Sequence, residues 1–144
     1  LVFALKNKLL KSIEQLENDY WTELVEFTSG LVVNCHKYRK IPIDELTIEQ
    51  LRLLISQKIG LKYIVKLGIN ELDKNILAEG DFYEGDLLVA ISALPIEFWN
   101  KNKTEFLTFK NIVERNSELI KLELGEKKFN RINENIKASV QHRV

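Results

Sequence analysis

The chain has 144 residues, 45% of them apolar and 29% charged, with 21 Lys and Arg against 21 Asp and Glu. That length fits a single domain over residues 1–144, burying about 68–70% of the surface of its unfolded chain. The composition excludes a disordered tail and a membrane-spanning protein, and a net charge of zero argues against a general nucleic-acid binder, which carries a basic excess.

Six Gly and two Pro fall well below average usage of about 12%, which favours helices over a turn-rich β sandwich. Residues 1–10 start apolar but are interrupted by Lys6 and Lys8. They lack the order of a secretory signal, so the cytoplasm is the expected compartment. A short N-terminal strand is the alternative to a helix there. Ser12 followed by Gln15 reads as a capping box, and Ser29 opens a second helix with Leu31, Cys35 and Tyr38 at helical spacing. Thr47 and Gln50 form a further capping box. Behind it Ile48, Leu51, Ile55 and Ile59 share a face, with Gly60 as the stop. The next helix is predicted over 61–74, weakened at Gly68 by about 1 kcal/mol.

An irregular segment follows over 75–86, with Glu-Gly-Asp at 79–81 and again at 84–86. Residues 87–94 read as a helix capped by Asp86, and Pro95 suits the first helical position of the next. A long helix is predicted over 104–124, broken near Asn116 and Ser117. Beyond Gly125 a last helix places Phe129, Ile132, Ile136 and Val140 on one face. The expected fold is all-α, one globule of six to eight helices.

Catalytic constellations are weak. Cys35 and His36 are adjacent, and neighbours on a helix point about 100° apart, so His36 cannot serve the thiol as a base. Cys35 therefore reads as a small core residue and His36 as a surface one; His142 lies in the tail. One Cys and two distant His do not make a zinc site. Residues 81–86 put Phe82 and Tyr83 where a calcium loop needs oxygen ligands. No phosphate loop or paired metalloprotease His occurs. No enzyme activity, metal or cofactor is expected. Residues 47–74 could form a helix-turn-helix with Lys58, Lys62 and Lys66 nearby, so a DNA-binding regulator is the alternative function. Its second helix, however, is mostly apolar and ends in Glu71 and Asp73.

The neutral total hides a charge asymmetry. Residues 67–100 carry −6, residues 1–66 carry +2 and residues 101–144 carry +4. Phe82 and Tyr83 lie within the acidic stretch and Trp99 near it. Carboxylates around aromatics suit a surface that steers and then anchors a basic partner. The alternative is that Asp81 and Asp86 cap helices, Phe82 and Tyr83 are core, and the glutamates are merely solvated.

Three runs carry a resemblance: Leu-Thr-x-Glu-x-Leu-Arg at 46–52, Gln-x-Ile-Gly-Leu-Lys-Tyr at 57–63, and Ala-Glu-Gly-Asp-Phe-Tyr-x-Gly-Asp-Leu-Leu at 78–88. The block 41–99, with 11–21 and 36–40 before it, resembles the immunity proteins of bacterial contact-dependent growth inhibition (CDI) systems. The resemblance implies a cytoplasmic protein that binds its cognate toxin, the C-terminal domain of a large surface effector and often a nuclease, as a one-to-one complex. It implies no active site, no metal, no membrane contact and no direct contact with nucleic acid. Leu51, Leu54, Gly60 and Leu61, in the most family-like positions, are expected in the core. From charge rather than from the resemblance, Glu71, Asp73, Glu79, Asp81, Tyr83, Glu84 and Asp86 are the candidate partner-binding residues, since a nuclease cleft is basic. Blocking from a surface away from the toxin's catalytic centre is an equal alternative.

Overall fold

The computed structural model describes residues 2–24 and 29–141; His142 lies outside the described residues. Helix α1 covers Val2–Leu9, correcting the strand alternative. A lone strand needs a neighbour to pair with, and the β contact recorded among the described residues is an isolated bridge between Ser12 and Pro42. Helix α2, Ile13–Glu17, starts at the predicted capping box: Ser12 Oγ accepts from the Gln15 N–H (3.3 Å), and the Ser12 N–H donates to Gln15 Oε1 (2.9 Å). It stops after one turn because Asn18 takes the left-handed conformation. Helix α3, Gly30–Tyr38, is capped by Ser29 as predicted, and a 3-10 turn over Ile43–Glu45 follows.

Helix α4 covers Ile48–Ser56 and α5 covers Leu61–Lys74. The second capping box is present, with Thr47 Oγ1 accepting from the Gln50 N–H (3.2 Å) and Gln50 Oε1 from the Thr47 N–H (2.9 Å). Gly60 is not the stop of α4, which ends four residues earlier. Lys58 has φ 60, and Gly60, at φ 64, opens α5. A Cβ on Gly60 would lie 2.7 Å from Ile13 Cδ1, so close approach and backbone conformation both require glycine. Leu51, Leu54, Ile64, Val65 and Leu72 are buried as expected, while Leu61 is only half-buried. Gly68 sits where a Cβ would press on Ile91 Cδ1 (3.0 Å) and Ile55 Cδ1 (3.1 Å), so α4 and α6 crowd α5 at that point.

Helices α6 (Asp86–Ser92) and α7 (Ile96–Lys101) follow the irregular segment. Pro95 precedes α7 rather than forming its first turn. Helices α8 (Lys103–Arg115) and α9 (Ser117–Leu124) meet at Asn116, where the break was expected, and α10 covers Glu126–Gln141. Ten α-helices among the described residues exceed the six to eight expected, while the all-α class stands. Helices α4, α5 and α6 pack on one another, α8 closes on α5, and α10 lies against α6, α7 and α9. One hydrophobic cluster runs from Ile13 to Ile136. Trp99 is buried within it, stacked on Phe109 (5.6 Å) and edge-on to Phe106 (5.4 Å), and so takes no part in the acidic surface. Val140 shares the predicted α10 face, lining a surface groove with Ile136, but remains 40% exposed.

Candidate functional site

The catalytic candidates come to little. Cys35 is buried, and burial pushes its thiol above the ordinary range. His36, half-buried rather than on the surface, packs against the Trp21 ring at 4.8 Å. No group of three or more His, Cys, Asp or Glu among the described residues is placed to hold a metal ion. None of the helices, within the same residues, is long and apolar enough to cross a membrane. An apolar groove of about 270 Å³ opens beside α1 and α5, lined by Leu9, Tyr63, Leu67 and Phe98 with Lys8 and Lys66 on its wall. Helix α5 packs against α4, α6 and α8 and presents Lys62, Lys66 and Asn70 to solvent, without an arginine.

The acidic segment is more organised than its sequence suggests. Glu49 and Arg52 sit one turn apart on α4, with Glu49 Oε1 2.6 Å from Arg52 Nε and Glu49 Oε2 2.7 Å from Nη2. Asp86 Oδ2 lies 3.8 Å from the same Nε. Arg52 and Asp86 are 7% and 3% exposed. Buried charges carry a desolvation penalty unless their remaining polar positions are filled. Here the backbone fills them. Asp86 Oδ1 accepts from the Gly80 N–H (2.7 Å), and Oδ2 from the N–H groups of Phe82 (3.1 Å) and Tyr83 (3.4 Å). The Asp81 N–H donates to Glu49 Oε1 (2.8 Å). Two carboxylates thus hold four consecutive backbone donors, fixing the loop over 80–83 between α4 and α6.

Bonding to Arg52, supported by the Asp81 N–H, holds the Glu49 carboxyl below the usual carboxylate range against the opposing effect of burial. The same pairing pushes the Arg52 guanidinium up. A Cβ at Gly80 would collide with the Glu49 carboxylate, so the loop can approach this closely only as glycine.

The seven candidate residues divide by environment. Asp86 is an internal brace, and the expectation that it caps α6 is corrected: its carboxylate reaches back to the loop, and Gly85 stands at the cap position. Glu71 pairs with Lys74 (3.4 Å) and Asp73 with Arg115 (2.6 Å), each in a surface contact. Glu79, Asp81 and Glu84 are exposed, and their carboxylates make no ion pair among the described residues. Tyr83 is exposed on one side and carries the Lys128 ammonium 4.0 Å from its ring centre. Neither Phe82 nor Tyr83 is core: Phe82 is 69% exposed, with its ring 4.3 Å from the Arg52 guanidinium.

Glu49, Arg52 and Lys128 were missed in the sequence. A signal existed for Arg52, a charged residue inside the otherwise apolar run 51–55. The runs 46–52 and 78–88 stand 26 residues apart in sequence yet meet at this network. A family model described as CDI immunity proteins matches residues 15–109, well over half of the chain and both of these runs. No curated protein and no solved structure matches.

Proposed function

The chain belongs to the family of CDI immunity proteins, and from that premise we propose that it neutralises a cognate CDI toxin domain by binding it one-to-one in the cytoplasm, with no catalysis of its own. The observation that carries this reading furthest is the braced loop over 79–84, which holds at the surface two aromatics and three carboxylates without an ion pair among the described residues. Such a surface complements a basic cleft, and a nuclease must have one to hold a polyanion. We therefore infer a nuclease as the toxin. Glu79, Asp81 and Glu84 steer the encounter, Tyr83 adds contact area, and Asp86 sets their geometry from beneath. Glu71 and Asp73, already paired, lie at the margin.

Co-expression with the cognate toxin domain tests the function. Cells should survive in proportion to the amount of this protein, and death despite full expression overturns the reading. Reversing Glu79, Asp81 and Glu84 to Lys should slow association about tenfold or more at low salt and flatten its salt dependence. An unchanged association rate removes the acidic surface from the account.

A further inference from the structure

We propose that Phe82 is the anchor of the toxin interface, a side chain held ready by the Glu49–Arg52–Asp86 network to enter an apolar pocket with a basic rim on the partner. The proposal deepens the functional reading above and rests on it.

An exposed apolar side chain usually needs no explanation. Leu122, at 78% exposure on α9, is such a case. Phe82 differs in two respects. Its N–H is held by Asp86 Oδ2, and the preceding N–H by Glu49 Oε1, so the backbone that aims the ring is fixed on both sides. Its ring rests on the guanidinium of a buried arginine, itself locked by two short bonds to Glu49. Even so, most of the ring stays in solvent. A side chain fixed before binding loses little conformational freedom when a pocket closes on it, and aromatics of this kind dominate interface energetics.

The surroundings select the occupant. Glu79, Asp81 and Glu84 flank the ring in sequence, with carboxylates that make no ion pair among the described residues. A pocket on a protein with Lys or Arg at its rim would gain both the desolvated ring and the flanking charges. The two contributions separate kinetically: rim charges act on the association rate, and a buried anchor acts on dissociation.

The test is binding kinetics of the purified cognate toxin domain to the full chain and its variants. Phe82→Ala should weaken affinity by about 30-fold or more, almost wholly through faster dissociation. Its Tm should stay within about 4 °C of wild type, because most of the ring is exposed and only its contact with the Arg52 guanidinium is lost. Phe82→Trp should retain most of the affinity, and Leu122→Ala should bind like wild type. Phe82→Ala binding within about threefold of wild type overturns the anchor while leaving the functional reading intact. Failure of the wild-type chain to bind the toxin domain overturns both.

Discussion

Glu49 ties the loop to α4, since one carboxylate serves Arg52 and the Asp81 N–H together. Its folded-state pKa lies below the ordinary value, so its contribution to stability is complete above the usual glutamate range near pH 4.3 and disappears as pH falls through the lowered value. Glu49→Gln keeps the shape and removes the charge. Denaturant titrations should find this variant less stable than wild type at pH 7, with the gap closing as acidification protonates Glu49 below the usual glutamate range. A gap that does not vary with pH would assign the Arg52 contact no electrostatic role. Sequence reading could not find this arrangement. It singled out the acids in one segment, whereas what distinguishes Asp86 from Glu84 is a buried arginine more than 30 residues earlier.

Among the elements, those governed by local rules were legible. The capping boxes at Ser12 and Thr47, the bounds of α5 and the break at Asn116 each depend on a few neighbouring residues, and each matches. Thr47→Ala should cost about 1 kcal/mol of stability by denaturant unfolding, because it frees the Gln50 N–H at the start of a central helix. No loss would mean that packing on α5 and α6 alone fixes where α4 begins. The errors arose where tertiary contact overrides a local preference. Gly60 looked like a helix stop, yet its position is set by the approach of Ile13 from α2. Asp86 looked like a cap, but the loop takes its carboxylate.

At the scale of the whole molecule, zero net charge and an acidic middle are compatible because the flanking segments carry the balancing positive charge, and the fold pairs only part of the acidic excess. Arg115 and Lys74 pair with Asp73 and Glu71, while Glu79, Asp81 and Glu84 make no ion pair among the described residues and lie on one braced loop. The charge asymmetry was readable along the chain, but its division into paired and available acids required α8 to be seen against α5. On this account the protein acts by occupancy, with the loop as the presenting surface and the helical core as its support. Titration of the purified cognate toxin domain with this protein, followed by the toxin's own activity, measures that claim most directly. Activity should fall linearly and reach zero at one equivalent. Full activity persisting in the presence of excess protein would contradict the account.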